Sequence, residues 1–448
     1  MKSIIVGAGK VGYTIASTLS KEGHDVIVID IDRERLSTVE EYLDVQVIEG
    51  SGAQMSILEE AGIANTDLLI AVTEGDELNM VSCFLAKSYG VKSTVARVRE
   101  PGYESLDNSH RQHNLGIDLI INPEKVAAEE ILKLINHPEA HNVEYFANGQ
   151  VQLLELELDG HCPVLNKSLI QICFPKPCII VAIIRRNKTI IPRGQDRLIE
   201  GDIIVMLSAT KNMIYNEQYL GMHHGKTNSV IIFGGGLLGY YLAQKLENSK
   251  RHMNIKLVEQ DAVLAEELAE TLDQTLVING TGTDLGLLED ENVEDIDVCI
   301  AVTDDDKENV LVSILAKHMG TKKTIAQIRR SDYISMVERV GIDRAVSPRS
   351  LTAAAILKFI SHGRLLSLTL LDDSRAQMRE LIIPAKAKII GKTLKQLKVP
   401  EDAIIGVIVR NGEVIVPCGD DKLLANDRII LFASADAVKQ AADYLTKE

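Results

Sequence analysis

The chain has 448 residues, a formal net charge of −16, 46% hydrophobic residues and 25% charged residues. That apolar content supports several packed cores and excludes a disordered chain, and at roughly 150 residues per domain the length predicts about three domains, within a range of two to four. The acidic balance argues against nucleic acid or an anionic membrane leaflet as a direct partner, because both carry charge of the same sign.

The first nine residues reach glycines after three apolar positions and do not read as a secretory signal. No apolar run approaches the ~18 residues of a spanning helix. Six cysteines, Cys83, Cys162, Cys173, Cys178, Cys299 and Cys418, are scattered without a CxxC pair and read as reduced cytosolic thiols. The expectation is a cytoplasmic protein with no direct membrane insertion, so any membrane role comes through a partner.

Short apolar runs at 3–6, 25–29, 46–49, 68–71, 93–98 and 119–121 are predicted strands, with helices between them, for example over 11–22 and 79–89. Strands separated by helices of about ten residues mean βαβ units and a parallel sheet. Asn122-Pro123 supplies a helix N-cap followed by proline at the first helical position. A strand-rich stretch follows, with strands at 152–158, 178–185, 189–191 and 203–207. Asn187 and Glu200-Gly201-Asp202 mark its turns. Residues 216–228 read as a linker.

The pattern then repeats. Ile5-Val6-Gly7-Ala8-Gly9-Lys10-Val11-Gly12 matches Ile232-Phe233-Gly234-Gly235-Gly236-Leu237-Leu238-Gly239. Gly50-Ser51-Gly52 matches Gly280-Thr281-Gly282, Ala71-Val72-Thr73 matches Ala301-Val302-Thr303, and Asn79 matches Asn309, with a short insertion near Arg251. Ser347-Pro348 repeats the helix start. Asn166-Lys167-Ser168-Leu169 aligns with Gly391-Lys392-Thr393-Leu394, the Pro192 stretch with the Pro417 stretch, and Asn411-Gly412 marks the second hairpin. The predicted fold is an α/β tandem of two Rossmann-like parallel-sheet lobes, each followed by a small α+β lobe: 1–136, 140–225, 228–361 and 365–448.

Each glycine loop follows an apolar strand and opens a helix, the context that dinucleotide binding requires. Gly7 permits the tight turn, Gly9 lets backbone approach a pyrophosphate, Gly12 allows close helix–strand packing, and the helix start offers N–H groups to phosphate. Asp30, at the end of the second strand, is placed to accept ribose hydroxyls and repel a 2′-phosphate, which favours NAD(H) over NADP(H) and leaves ATP or ADP open. Gly234, Gly236, Gly239 and Glu259 repeat the set. Glycines that merely pack the fold are the competing reading. Thr73-Glu74 and Thr303-Asp304 follow the fourth strand, either as ligand contacts or as a helix cap. Arg97 and Arg99 read as one face of the fifth strand, meeting phosphate or pairing with acids; Gln327 and Arg329 stand at the second copy. His110 with His113, His137 with His141, and His223-His224 read as polar surface pairs rather than zinc ligands. No acid/base substrate domain, GxSxG or Walker-A lysine is present, so an enzyme is not expected. An NAD-dependent oxidoreductase and a scaffold that binds nothing are the rival classes.

These motifs, in this order and duplicated, resemble the TrkA family, the peripheral regulatory subunits of Trk-type potassium-uptake systems, built as tandem regulator-of-potassium-conductance (RCK) units. The resemblance covers essentially the whole chain. It implies a cytosolic, non-catalytic subunit that binds NAD(H) or adenine nucleotides. It also implies a homo-oligomer, expected as a tetramer, on the cytoplasmic face beneath a membrane-embedded potassium channel subunit. The implied nucleotide contacts are Gly7, Ala8, Gly9, Lys10, Val11, Gly12, Asp30, Gly50, Ser51, Thr73, Glu74, Arg97 and Arg99. Their counterparts are Gly234, Gly235, Gly236, Leu237, Leu238, Gly239, Glu259, Gly280, Thr281, Thr303, Asp304 and Arg329. Ser51 and Thr281 depart from the family, many members of which carry an acid there. The helices at 122–135 and 347–360 match crossover helices that pair adjacent lobes.

Overall fold

The computed structural model describes residues 1–104, 115–137, 139–186, 188–222, 227–249, 253–330, 333–360, 365–370, 376–400 and 402–447. They divide into two compact units, Met1–Leu132 with Thr227–Leu357, and Lys133–Lys226 with Lys358–Glu448.

The first unit contains two Rossmann-like lobes. In the first lobe, β1 (Lys2–Val6), β2 (Asp25–Asp30), β3 (Gln46–Glu49), β4 (Leu68–Ala71), β5 (Ser93–Arg97) and β6 (Leu119–Ile121) alternate with α1 (Lys10–Lys21), α2 (Arg33–Tyr42), α3 (Met55–Glu60), α4 (Asp76–Ser88), α5 (Pro101–Glu104) and α6 (Pro123–Asn136). The strand order is β3-β2-β1-β4-β5-β6, and every pair is parallel. The order reverses between β1 and β4, which opens a crevice at the carboxyl ends of those strands. Apolar strands such as Ser3-Ile4-Ile5-Val6 are buried on both faces because helices cover both. Helix α1 buries Val11, Gly12, Ile15, Ala16 and Leu19, a stripe at helical spacing against the sheet.

The second lobe repeats this with β12 (Ser229–Phe233), β13 (Asn254–Glu259), β14 (Thr275–Asn279), β15 (Val298–Ala301), β16 (Lys323–Gln327) and β17 (Arg344–Val346), again parallel and in the same order. Its helices are α8 (Leu237–Glu247), α9 (Ala262–Thr271), α10 (Leu285–Asp290), α11 (Asp306–Met319), α12 (Ile334–Arg339) and α13 (Pro348–Ile360).

The second unit holds two five-stranded antiparallel sheets. Strands β7 (Ala140–Phe146), β8 (Val151–Glu157), β9 (Cys178–Arg185), β10 (Lys188–Ile190) and β11 (Ile203–Ala209) are followed by α7 (Thr210–Tyr219). The repeat supplies β18 (Leu365–Leu370), β19 (Ala376–Ile382), β20 (Ala403–Arg410), β21 (Glu413–Ile415), β22 (Arg428–Ser434) and α14 (Ala435–Thr446). Each copy is pinned by a buried carboxylate under a forked guanidinium. Arg185 meets Asp202 at 2.7 and 2.8 Å, and Arg410 meets Asp427 at 2.8 and 2.8 Å. Such bidentate pairs fix orientation as well as charge.

The predicted α/β tandem of parallel-sheet lobes and small α+β lobes is present, and the sheets of the small lobes are antiparallel. Several local expectations change. Strand β7 was not anticipated. The proposed 216–228 linker begins inside helix α7, where Asn216 is buried and accepts a hydrogen bond from the Lys176 N–H. Strand β5 ends at Arg97, so Arg99 lies beyond it and does not share a strand face with Arg97. Asn122 caps α6 as expected, its Oδ1 accepting from Glu124 and Lys125 N–H at 3.0 Å each. Ser347 occupies the equivalent position, but its buried hydroxyl has no hydrogen-bond partner. Asn411 and Gly412, at φ 51° and 82°, form the expected β20–β21 hairpin. Asn187, Arg251, His110, His113, His223 and His224 lie outside the described residues.

Candidate functional site

The glycine loop between β1 and α1 is shaped by steric necessity. Gly7 has φ +111°, in the region L side chains avoid. A Cβ on Gly12 would lie 1.8 Å from the Gly7 carbonyl oxygen, so helix and strand approach as closely as they do only with glycine there. A Cβ on Gly9 would meet nothing within 4 Å. Gly9 is the N-cap of α1 and offers no side-chain acceptor to the first turn. Those N–H groups therefore remain available to an anion. The second loop repeats the geometry, with Gly234 at φ +110° and a Gly239 Cβ 1.9 Å from the Gly234 oxygen.

Asp30 is 9% exposed. Its Oδ2 accepts the Ala8 N–H at 2.5 Å and its Oδ1 the Asp32 N–H at 2.9 Å. Those two bonds tie β2 to the glycine loop and leave each oxygen further acceptor capacity. Glu259 does the same in the second lobe, accepting from Gly235 at 2.6 Å and Asp261 at 2.8 Å.

Thr73 does not cap α4, whose N-cap is Gly75. Its N–H and hydroxyl both donate to Asn79 Oδ1, at 2.9 and 2.7 Å. Asn79, fully buried, donates from Nδ2 to the carbonyls of Thr73 and Arg97 at 3.1 and 2.9 Å. Asn309 makes the same four contacts to Thr303 and Gln327. Sequence matching finds both asparagines but assigns them no role. They clamp the ends of the fourth and fifth strands of each lobe, where the crevice opens.

The two arginines differ. Arg99 donates from Nε to Glu124 Oε1 at 2.9 Å, and its side chain is 46% exposed. Arg97 is half-buried, with Nε lacking a hydrogen-bond partner and one terminal nitrogen 3.5 Å from the Thr73 carbonyl. Burial pushes its guanidinium below the ordinary value, an effect opposed by the nearby Glu124 carboxylate. Arg329 is paired to Asp304.

Gly7, Ala8, Gly9, Lys10, Val11, Asp30, Gly50, Ser51, Thr73, Glu74, Arg97 and Arg99 all line one cleft of about 1120 Å³. Gly236, Leu237, Leu238, Asp304 and Arg329 of the second lobe line it too, whereas Gly234, Gly235, Glu259, Gly280, Thr281 and Thr303 do not. Gly12 and Gly239 pack beneath their loops rather than facing the cleft. The family resemblance implies that Arg97 or Arg99 meets phosphate at a lobe–lobe interface, and residues of both lobes line this space; sequence reasoning did not say which second-lobe residues do so. Sequence reasoning missed the contributions of Arg35, Glu124 and Arg349.

The expected surface histidine pair is not one. His137 sits against Glu217 Oε1 at 3.1 Å and Gln152 Nε2 at 2.9 Å, while His141 faces Glu157 at 3.3 Å. Among the described residues no group of three or more His, Cys, Asp or Glu is arranged to hold a metal ion, and no helix is long and apolar enough to cross a membrane.

The family model for the TrkA-N domain matches residues 3–123 and 230–348, and that for the TrkA-C domain matches 153–216 and 378–446. The chain is 39% identical to Trk system potassium uptake protein TrkA homolog 2 of Methanosarcina mazei, over 98% of each chain. It is 34% identical to Trk system potassium uptake protein TrkA of Halomonas elongata, covering 96% of this chain and 95% of that one. In fold it is similar to the GsuK RCK domain, with a TM-score of 0.62 at 17% identity, covering 100% of this chain and 95% of that one. The NAD-bound GsuK channel has a TM-score of 0.62 at 16% identity, covering 100% and 79%. The repeated parallel-sheet lobes, the small antiparallel lobes and these full-length matches agree: the chain belongs to the TrkA family of Trk potassium-uptake proteins.

Proposed function

We propose that the protein is a nucleotide-sensing regulatory subunit. It holds an adenine nucleotide, NAD(H) foremost, in the first-lobe crevice, and through occupancy of that site regulates a membrane-embedded Trk-type potassium channel subunit from the cytoplasmic face. A homo-oligomer, a tetramer by family resemblance, is the assembly in which it acts. The observation that carries this reading is the convergence of three features on one cleft: an uncapped helix start at Gly9, open space above Gly9, and the anchored Asp30 carboxylate. Gly7, Gly9, Lys10 and Val11 would hold the pyrophosphate, Asp30 the adenosine ribose, and Thr73, Glu74, Gly50 and Ser51 the crevice walls. The second lobe would offer Gly236, Leu237, Leu238, Glu259, Thr281 and Arg329 in the same roles.

ATP or ADP is a second ligand class with its own support. The partnerless Nε of Arg97, on a guanidinium whose charged form burial destabilises, is the kind of donor that a terminal phosphate satisfies. A ligand moves a gate only by binding one state of the assembly better than another. In this scheme the nucleotide is a signal and is not consumed.

Direct titration of the full chain with NAD⁺, NADH, NADP⁺, ATP and ADP tests the proposal. Asp30→Ala is expected to weaken binding about tenfold, the loss of a charge-assisted ribose contact, and NADP⁺ is expected to bind wild type more weakly than NAD⁺. Potassium flux through membranes bearing the channel subunit is expected to respond to the nucleotide that binds. Binding by none of the five, or indifference to Asp30→Ala, overturns the reading.

A further inference from the structure

The amino ends of the fifth and sixth strands differ between the two Rossmann-like lobes. In the first lobe β5 opens with Ser93 and β6 with Leu119, whereas in the second β16 opens with Lys323 and β17 with Arg344. Two acids of that edge recur in both lobes and are committed in the same way. Asp67 pairs with Lys92 at 2.8 Å, as Asp297 does with Lys322 at 2.5 Å. Asp118 pairs with Lys87 and Asp343 with Lys317, both at 2.8 Å. Each of the latter two also accepts the N–H and hydroxyl of a threonine, Thr94 or Thr324. The second lobe thus adds two cations to an edge whose two acids are unchanged.

Lys323 is 7% exposed, a rare depth for a lysine. Ile325 and Arg344 are register partners on β16 and β17. Side chains alternate along a strand, so Lys323, Ile325 and Arg344 stand on one face, with the two cations as diagonal neighbours. Arg344 gives a terminal nitrogen to the Asp343 carbonyl at 3.0 Å, and its Nε is buried without a hydrogen-bond partner. Burial, then the like charge of Arg344, pushes the Lys323 ammonium down to about 8, with Asp343 opposing. At that pH roughly half of its amine is uncharged, against about 0.4% of an ordinary lysine.

We infer that Lys323 is a carbon dioxide-reactive lysine, its Nζ forming a carbamate that Arg344 holds. The ammonium first gives a proton to water. The Nζ lone pair then attacks the carbon of carbon dioxide, one C=O pair moves onto oxygen, and the N–C bond forms as a second proton leaves the nitrogen for water. The side chain passes from one positive to one negative charge, and nothing is oxidised or reduced. The product brings an oxyanion to the buried Nε of Arg344, and a charge-assisted bond satisfies both. An ion from solvent has to shed its water to reach so enclosed a donor; carbon dioxide is small and uncharged and does not. Ser93 and Leu119 offer the first lobe neither an amine nor a guanidinium. The site lies about 13 Å along β16 from Gln327, at the other end of the strand from the nucleotide cleft, and does not depend on it.

Trialkyloxonium alkylation traps carbamates as stable esters, and mass spectrometry of peptides locates them. The full chain is equilibrated with isotope-labelled carbon dioxide near the Lys323 midpoint of about pH 8, then trapped and mapped, for wild type, Lys323→Arg, Arg344→Leu and Arg344→Lys. The label is expected on Lys323 and not on the adjacent Lys322, whose side chain is 75% exposed and paired to Asp297. Lys323→Arg is expected to remove it. Arg344→Leu is expected to raise the carbon dioxide level needed for half occupancy about tenfold, with Arg344→Lys intermediate. At fixed dissolved carbon dioxide, occupancy is expected to rise with pH, because carbamate formation releases protons. An unlabelled Lys323 in wild type, or label spread evenly over exposed lysines, overturns the inference, and that reading needs no variant to fold. Label on Lys323 that is unchanged in Arg344→Leu overturns the part given to Arg344.

Discussion

Gly9 and Gly12 are three residues apart on one loop, yet a methyl group means opposite things at each. At Gly12 the new Cβ would enter the Gly7 carbonyl oxygen, 1.8 Å away, and neither backbone segment has slack, because the Gly7 N–H is bonded to Ile29 O at 2.8 Å. At Gly9 the backbone already has an ordinary φ of −64° and a Cβ would project into open space. Gly12→Ala is therefore expected to cost about 1–3 kcal/mol or more, as overpacking does, read as a lowered melting temperature of the unliganded chain. Gly9→Ala is expected to leave stability within about 0.5 kcal/mol and to weaken nucleotide binding, since its methyl group occupies the approach to the loop. A stability loss at Gly9 with none at Gly12 would show that the loop is held otherwise than by these contacts.

Between elements, the recurring device is the buried asparagine. Asn79 and Asn309 each use both ends of the amide to join a fourth strand to a fifth. Asn79→Ala strips partners from the Thr73 N–H and from two carbonyls, and is expected to cost about 2–4 kcal/mol in chemical denaturation, since each buried group left without a partner costs about 1–3 kcal/mol. Loss of under half a kilocalorie would mean that water replaces the amide. Nothing local announces this role, because the bonds reach six and eighteen positions along the chain. The glycine loops were legible for the opposite reason: their constraint is local, a turn between an apolar strand and a helix. Strand β7 was hidden because Ala140–Phe146 places His, Asn and Glu at half-exposed positions and breaks the simple alternation. Helix α7 read in part as linker because its polar residues Asn216 and Glu217 are buried by tertiary contacts rather than by helical patterning. The full lining of the shared cleft was illegible from the residues, and only the family resemblance pointed to a lobe–lobe interface, because the cleft depends on how two separately encoded lobes meet.

Across the whole molecule, the cleft belongs to a unit drawn from Met1–Leu132 and Thr227–Leu357, so a ligand bound there would stabilise segments from both halves of the chain. At a free concentration one hundred times Kd a ligand adds about 2.7 kcal/mol, and for a unit of this size that is a rise of roughly 5–10 °C. The lobes are expected to share this unequally. Asp30 lines the cleft with Lys10, Arg35 and Arg97, while Glu259 lies outside it beside a loop carrying Leu237. Scanning calorimetry with ATP is therefore expected to show the full rise in wild type, most of it in Glu259→Ala, and about half of it in Asp30→Ala, whose tenfold weaker binding leaves the ligand at about ten times Kd. The unliganded melts of the three should differ by less than the ligand-induced rise, although each carboxylate also anchors its own loop, Asp30 through Ala8 and Glu259 through Gly235. If Glu259→Ala removed the rise and Asp30→Ala preserved it, the cations of the first lobe would be serving structure rather than ligand, and the asymmetry drawn from the repeat would have the wrong sign.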